Sequence, residues 1–361
     1  MPTFQLRQLR LRCQWLAQRE ARSPAEIARQ LCALQAQEWA SVQLAMHARS
    51  AGIMQSDIKQ AREVDRSIVL SWSLRGTLHL VAAEDLRWLL AVCGEGVIRS
   101  TNRRYQQLGL TETIREAALA AIRKILEREG ALNRAELAAA LGEYGIPVAG
   151  QAIHHLARFA ALRGLICHGP EYSGKLTFVL LDQWLPDTAP APADPLAALA
   201  RRYLIASAPA TWKDFAQWSG LRAAQARKGW AAVSADSKRV ATAAGEALMR
   251  ADQAADSATE TSLRLLPRYD NYLLAHKDRH FLIAPDHRRQ VYPGGGLIRA
   301  CAVVNGEAKA IWKLEKRRRS IRIVVEPFAA LDKPVLPMLA AEAAALGSFL
   351  MAKVEWRINR G

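Results

Sequence analysis

Hydrophobic positions in the first part of the chain predict three helices followed by a two-stranded ribbon. Apolar residues recur at helical spacing within residues 5–18, in the stretch after Ser23, and within residues 41–50. Residues 67–81 are instead rich in β-branched and aromatic residues and are interrupted by Arg75-Gly76-Thr77, so we expect two strands joined by a turn. This is the element order of a winged helix, which can place a helix in the major groove of DNA and a wing along its backbone.

The second predicted helix has a strong start signal. Ser23 can accept a hydrogen bond at the N-cap, Pro24 suits the first helical position, and Glu26 can complete a capping box. Apolar residues then continue at helical spacing to Leu34. The helix is therefore expected to stop near this residue.

Two carboxamide side chains, Gln35 and Gln37, follow the end of this helix. Residues two positions apart diverge on a helix but point to the same side of an extended segment. We therefore predict that both glutamines face one way, in the turn between the second and third helices. From the residues alone they could cap the turn, read adenine through bidentate hydrogen bonds, or take part in catalysis.

The pattern of helices followed by a ribbon recurs twice. A helix at 111–129, a short helix capped by Asn133 and a helix at 148–163 precede a ribbon at 165–181 with Gly174 at its turn. A weaker third copy follows a linker rich in proline and alanine. Its predicted helices lie near 195–207, 211–219 and 222–233, with strand-like pieces to about residue 250 and a polar loop at 251–261.

The last hundred residues have a strand-like pattern. Val304-Asn305-Gly306-Glu307 is typical of a hairpin turn, because Asn-Gly tolerates the positive φ angles of a type I′ turn. Strands are predicted at 298–304, 308–314, 320–326 and 352–358, with a helix at 337–350. The expected fold is α+β, with three tandem winged-helix motifs packed with a C-terminal β-rich, barrel-like domain. The predicted boundaries are 1–110, 111–185 and 195–260 for the winged helices, and 261–361 for the β-rich domain.

Composition narrows the possible partners. The chain has 361 residues, 50% of them hydrophobic, and a formal net charge of +16. Such an excess of cations indicates a polyanionic partner, nucleic acid or an anionic membrane, although a biased genome composition would also give arginine-rich sequence. No apolar run reaches the roughly 18 residues of a membrane span, and the N-terminus lacks a secretory signal pattern. Five scattered cysteines indicate neither disulfides nor a zinc site, so we expect a cytoplasmic protein.

Two motifs fail their structural requirements. Gly169–Lys175 spells GxxxxGK, but Leu176 stands where a phosphate-binding loop needs Ser or Thr, and a strand follows instead of a helix. His154 and His155 are adjacent on a predicted helix and so cannot chelate one metal together. Neither motif therefore predicts a phosphate-binding loop or a metal site.

The second hairpin turn of the β-rich domain is strongly basic. It contains Lys316, Arg317, Arg318 and Arg319. These side chains suit contact with DNA phosphates or the minor groove, and the alternative is a solvated hairpin tip.

Four blocks of the sequence, in order, resemble the HTH_42, or AlkZ/YcaQ-type, winged-helix DNA glycosylase family. Gln35-Ala36-Gln37 is similar to its catalytic Gln-apolar-Gln motif, and Arg75-Gly76-Thr77-Leu78-His79 is similar to its RGTLH ribbon. Leu266–Leu274 resembles its LPxFDxYLL block, with Tyr269 where Phe is common. Val304–Trp312 resembles its glycine-containing hairpin. A sister branch has Asp at the second polar position of the first motif, so glutamine there indicates the AlkZ branch.

The resemblance implies an enzyme that excises alkylated purines, including bulky natural-product adducts and, in the AlkZ branch, interstrand crosslinks. It implies three winged-helix motifs around a concave DNA channel, Gln35 and Gln37 as catalytic residues, and no metal or cofactor. The expected state is a monomer on damaged double-stranded DNA, cytoplasmic and nucleoid-associated when bound, without membrane contact. Arg75 could contact phosphate or close its turn by a salt bridge, and His79 could face the lesion or be a core histidine.

A carboxamide cannot act as a general base near neutral pH, but it can orient a water molecule. That suffices for N7-alkylguanine or N3-alkyladenine, because their positive charge already weakens the glycosidic bond. We therefore expect a monofunctional glycosylase that prefers cationic lesions to neutral ones such as uracil. The alternative function is a non-catalytic winged-helix DNA binder, such as a transcription regulator.

Overall fold

A computed structural model describes residues 1–186, 189–253, 261–318 and 320–359, without the side chain of Lys316. Most of the predicted loop at 251–261, and Arg319 of the basic turn, lie outside these residues. None of the helices in the described ranges is long and apolar enough to cross a bilayer.

The N-terminal part contains one helix that precedes the first repeat and one long helix that follows it. The preceding helix is α1 (Thr3–Cys13). The repeat consists of α2 (Pro24–Leu31), β1 (Leu34–Gln35), α3 (Trp39–His47), α4 (Gln55–Glu63), β2 (Ile68–Trp72) and β3 (Leu78–Ala82), followed by α5 (Leu86–Gln107). The predicted capping box of α2 is confirmed, since Ser23 and Glu26 bond to each other's backbone N–H groups.

The second repeat has the same order of elements. It consists of α6 (Glu112–Glu129), β4 (Leu132–Asn133), α7 (Arg134–Glu143), α8 (Ala152–Leu162), β5 (Ile166–Tyr172), β6 (Lys175–Leu180) and the short α9 (Leu181–Trp184). Asn133 caps α7 as predicted, and Gly174 has the positive φ of +74° at the ribbon turn.

The third repeat is smaller but follows the same plan. It consists of α10 (Pro195–Ser207), α11 (Trp212–Ser219), α12 (Ala223–Ser234), β7 (Ser237–Thr242) and β8 (Gly245–Arg250). A single bridge between Ala210 and Leu248 takes the place of the short strand. In all three repeats the segment after the first helix pairs with the second strand of the ribbon.

This pairing corrects the predicted composition of the first repeat. The helix predicted at 5–18 corresponds to α1, which lies outside the repeat, whereas α4 is its third helix and was not predicted. Gln35 therefore lies in a strand between the first and second helices of the repeat, because β1 pairs with β3. The long helix α5 was also missed, although its buried positions recur at helical spacing.

The ribbons and the short strands β1 and β4 of the first two repeats form one six-stranded sheet with the order β1-β3-β2-β5-β6-β4. Leu70 of β2 pairs with His168 of β5 and so joins the two repeats at the strand edges. Helix α5 packs on α8 at Gly94, where a Cβ atom would lie 2.5 Å from the Leu162 carbonyl oxygen. Helix α5 and one face of the β2–β3 ribbon consequently share a hydrophobic core with the second and third repeats. The helices of the first repeat pack in a second core with the C-terminal sheet.

The C-terminal part contains an open, five-stranded sheet. Its elements are β9 (Leu263–Leu266), α13 (Asn271–Leu274), α14 (Arg288–Val291), β10 (Cys301–Val304), β11 (Glu307–Lys316), β12 (Ile321–Pro327), α15 (Val335–Phe349) and β13 (Val354–Ile358). The strand order is β13-β12-β11-β10-β9, with β12 and β13 parallel. The Asn305-Gly306 turn has φ angles of 50° and 81°, as the sequence predicted. Helix α15 packs against both edge strands.

Helix α8 offers little surface for DNA docking. This third helix of the second repeat buries nine of its eleven residues. Few of its side chains are therefore accessible to a major groove. In the first repeat, α4 exposes both Asp57 and Lys59, whereas Arg62 is buried. The exposed side of this helix is therefore not basic.

Candidate active site around Gln35 and Gln37

The Gln35–Gln37 segment is extended because the preceding helix ends abruptly. Cys32 follows α2 with a φ of 63°, and β1 then pairs Gln35 with His79. The Ala36 N–H donates to the Leu78 carbonyl at 2.8 Å. The side chains of Gln35 and Gln37 consequently lie on the same side, and the Gln35 amide Nε2 donates to the Gln37 Oε1 at 3.0 Å. The predicted common orientation is confirmed.

Arg75 fixes which way both carboxamides are turned. Its Nη2 donates to the Gln35 Oε1 at 2.8 Å. A guanidinium has only donors, so Gln35 must turn its oxygen toward Arg75 and its NH₂ toward Gln37. Gln37 must then present its oxygen to Gln35. One lone pair of this oxygen remains for a further donor, and the Gln37 side chain is exposed to solvent.

The conformation of Arg75 is set by the turn between β2 and β3. Arg75 has a φ of 56° and lies in a single 3₁₀ turn, Leu74–Gly76. Burial lowers the pKa of Arg75 to about 10, which leaves the guanidinium charged at neutral pH. The salt-bridge alternative for this turn is wrong, since Arg75 bonds to Gln35 and no carboxylate among the described residues affects its pKa.

His79 is the cross-strand partner of Gln35, so the two side chains lie on the same face of the sheet. The His79 side chain is only 1% exposed, and its Nδ1–H donates to the Thr77 carbonyl at 3.0 Å. Burial, with a smaller effect of the Arg75 charge, lowers the pKa of His79 to about 3. The predicted DNA contact of His79 is therefore corrected, because its ring is neutral and buried beside Gln35.

The 266–274 block of the C-terminal part holds the Gln35–Gln37 segment. The buried Asn271 side chain donates through Nδ2 to the Ala33 carbonyl at 2.9 Å. Arg268 pairs with Glu38 at 2.6 Å. The segment is thus held before Gln35 and after Gln37.

A buried ion pair anchors this block. Arg49 makes two bonds to the Asp270 carboxylate, at 2.7 and 2.8 Å, and both side chains are fully buried. Arg49 also donates to Gln14. Such a bidentate pair fixes the relative position of two elements, here the end of α3 and the start of α13.

Comparison with known proteins identifies the family of this chain. Residues 28–349 match the family described as DNA glycosylase AlkZ-like. The chain belongs to this family. It is 28% identical over 356 residues to an interstrand DNA cross-link repair glycosylase of Streptomyces sahachiroi, with 92% of each chain covered. The solved structure of the S. sahachiroi DNA glycosylase AlkZ superimposes with a TM-score of 0.83 at 26% identity, covering 99% of this chain and 100% of that one.

The basic hairpin of this AlkZ-like chain lies between the end of β11 and the start of β12. Arg317 and Arg318 are exposed, and Arg317 donates to Glu315 at 3.0 Å. Lys316 is the last residue of β11. A DNA contact by this turn stays a prediction.

The GxxxxGK motif, His154 and the cysteines all lie in ordinary structural positions. Gly169–Lys175 forms the β5–β6 hairpin. His154 packs edge-on against Trp72, with 5.6 Å between ring centroids. All five cysteines are buried and unpaired. Within the described ranges, no group of three or more His, Cys, Asp or Glu residues could hold a metal ion.

Sequence reasoning from the residues missed the partners of this site. Glu38 directly follows the glutamine motif, but its partner Arg268 lies 230 positions later, and no local pattern links them. The resemblance singled out the 266–274 block without indicating where it lies. Its position beside Gln35 is a result of the tertiary structure.

Proposed function

We propose that this protein is a monofunctional DNA repair glycosylase that hydrolyses the N-glycosidic bond of cationic N-alkylated purines. Its substrates are N7-alkylguanine, N3-alkyladenine, bulky natural-product adducts and interstrand crosslinks. It acts as a cytoplasmic monomer, without a cofactor, through three winged-helix units on damaged duplex DNA. The observation that carries this proposal is the hydrogen-bonded series Arg75–Gln35–Gln37, which orients both carboxamides.

The chemistry follows from the free lone pair of Gln37. A water that donates to this oxygen is held in place without losing its proton to the amide. As the C1′–N bond of the lesion breaks, its electron pair neutralises the cationic base and leaves an oxocarbenium-like sugar. The water oxygen then bonds to C1′, and its proton passes to solvent. Positioning is sufficient here because the leaving group is already activated.

The absence of a nucleophilic amine in the motif supports hydrolysis without strand cleavage. No lysine occurs between Leu31 and Met46, or between Ile68 and Ala82. A Schiff base at C1′ requires such an amine. The expected product is an intact strand with an abasic site.

The exposure of the site supports bulky substrates. Gln37 is exposed and Gln35 is partly exposed, so the pair lies at the protein surface. A lesion that cannot fit into a closed pocket could reach these side chains without being fully flipped, in contrast to the usual glycosylase arrangement. The relative from S. sahachiroi is itself described as a cross-link repair enzyme.

The decisive experiment measures base release from duplexes that carry N7-methylguanine or a bulky N7 adduct. We expect released base and alkali-labile abasic sites from both, and little activity on uracil. Gln35→Ala and Gln37→Ala should each slow single-turnover release by about 10²-fold, the loss expected when a reactant is no longer positioned, with nearly unchanged DNA affinity. Gln60→Ala is the matched control, since Gln60 is an exposed glutamine whose side chain donates to Asp65.

The outcomes separate the two functions considered for this chain. Binding without product on either lesion would identify a non-catalytic DNA binder. Product that persists at the wild-type rate in both glutamine variants would move the active site elsewhere.

A further inference from the structure

Arg75 also borders a cleft whose lining does not include Gln35 or Gln37. The cleft has a volume of about 480 Å³ and lies between α5 and the junction of α11 with α12. Its polar lining comes from Arg75, Arg99, Ser100, Ser219, Arg222 and Gln225. None of the described residues that line it is acidic. Arg99 has one distant ion pair outside the lining, at 3.9 Å from Glu95. The cleft therefore carries an excess of positive charge.

The start of α12 adds to this charge. Arg222 is the N-cap of this twelve-residue helix and makes no side-chain capping bond. The first N–H groups of a helix have no partner within it and lie at the positive end of its dipole. Gln225 occupies the third helical position and lines the cleft. An anion in the cleft would meet both the helix start and the guanidinium groups.

Arg75 connects the cleft to the active site. Its Nη2 is bonded to Gln35, whereas its Nη1 is buried from solvent and has no hydrogen-bond partner. A buried donor of a charged group is costly to leave unsatisfied, and an anion oxygen would remove this cost.

We propose that the cleft binds a backbone phosphate of the substrate DNA, and that this phosphate holds Arg75 in the position from which it orients Gln35. This inference rests on the proposed function. The phosphodiester is favoured over a free anion because a single side chain separates the cleft from the residues that meet the lesion. Contact with the DNA backbone then completes the hydrogen-bonded series that aligns Gln37.

The first test is a salt titration of binding to undamaged duplex. Each phosphate neutralised contributes about 0.9 to the slope of log affinity against log salt. The double variant Arg99→Gln/Arg222→Gln should reduce this slope by about 0.9. Arg123→Gln is the matched control, because Arg123 is an exposed helical arginine with an equally distant partner, Glu127 at 4.0 Å. An unchanged slope in the double variant overturns the proposal.

Gln225→Glu is a second variant whose structural and binding effects have opposite signs. A carboxylate in the first turn stabilises a helix, so the unfolding temperature should stay equal or rise. The same charge repels a phosphate, and DNA affinity should fall several-fold. Unchanged affinity would count against the phosphate.

Inorganic phosphate distinguishes the two sources of this anion. If the double variant loses inhibition by phosphate while its DNA salt slope stays at the wild-type value, the cleft binds free anions and the proposal is wrong. Single-turnover base release by the double variant at saturating enzyme tests the link to Arg75. Its rate should fall about ten-fold below that of the wild-type protein. A wild-type protein that releases no base would refute the proposed function, and the salt slope would still report on the phosphate.

Discussion

Gln37 differs from Gln35 in what it can offer a substrate. The Gln35 side chain accepts a hydrogen bond from Arg75 through its Oε1 and donates one to Gln37 through its Nε2. Gln37 receives one bond and keeps an acceptor lone pair at the surface. The two carboxamides are therefore not equivalent, although the sequence presents them as a symmetric pair. In the proposed reaction, Gln35 orients and Gln37 contacts the water.

Asn271→Asp tests whether the hydrogen bond from Asn271 to Ala33 holds the Gln35–Gln37 segment in place. The variant replaces the NH₂ that donates to the Ala33 carbonyl with an oxygen that repels it. We expect base release to slow about ten-fold and stability to fall by about 1–3 kcal/mol, since a buried acceptor loses its partner. Single-turnover kinetics and denaturant unfolding measure the two effects. Wild-type kinetics in a destabilised Asn271→Asp protein would mean that this bond supports only the fold.

At the scale of elements, the site lies where the third repeat contacts the ribbon turn of the first. Gly220 ends α11 in the left-handed conformation, with a φ of 75°. A Cβ atom there would lie 2.8 Å from the Arg75 Cγ. The absence of a side chain at Gly220 is thus required for the position of Arg75.

Gly220→Ala and Gly164→Ala separate this contact from backbone strain. Both glycines have positive φ angles, +75° and +72°, but nothing lies within 4 Å of a Cβ at Gly164. Each variant should lose about 1 kcal/mol of stability through strain, and Gly220→Ala should lose more because of its contact with Arg75. Only Gly220→Ala should reduce base release, by about ten-fold, because Arg75 is displaced. Equal base release by both variants at saturating enzyme would contradict this role for Gly220.

At the scale of the whole molecule, the Arg49–Asp270 pair joins the N-terminal and C-terminal parts. Asp270→Asn leaves Arg49 buried without its charge partner. Loss of one member of a buried pair costs about 3–5 kcal/mol. We expect a lower midpoint of denaturant unfolding and slower base release, because Asn271 is displaced with its neighbour. The exposed pair Arg239–Glu246 provides the control, since Glu246→Gln should change stability by less than about 1 kcal/mol.

Buried histidines predict a loss of stability in mild acid. Burial lowers the pKa of His47 and His79 to about 3, and that of His168 to about 4, from an ordinary value of 6.5. Because the folded pKa lies below the unfolded one, their contribution is complete above pH 6.5 and is lost as the pH falls toward 4. Each gives a slope of about 1.4 kcal/mol per pH unit. Thermal unfolding at pH 7 and pH 5 measures this, and equal midpoints would contradict it.

The sequence by itself determined the features that depend on a few neighbouring residues. The capping box at Ser23, the cap at Asn133 and the Asn305-Gly306 turn lie where they were predicted, because each is specified by local hydrogen bonds or allowed φ angles. The common side of Gln35 and Gln37 also followed, since it needs only an extended backbone.

The tertiary structure decided which elements form a repeat and what surrounds the glutamines. Pairing of β1 with β3 made α4, and not α1, part of the first repeat. Asn271 reaches Ala33 across 238 residues, and Arg75 reaches Gln35 across 40. Such contacts depend on how whole elements pack, which capping and periodicity do not specify. The sequence was enough to single out the Gln-Ala-Gln segment. Its orientation by Arg75 is a result of the tertiary structure.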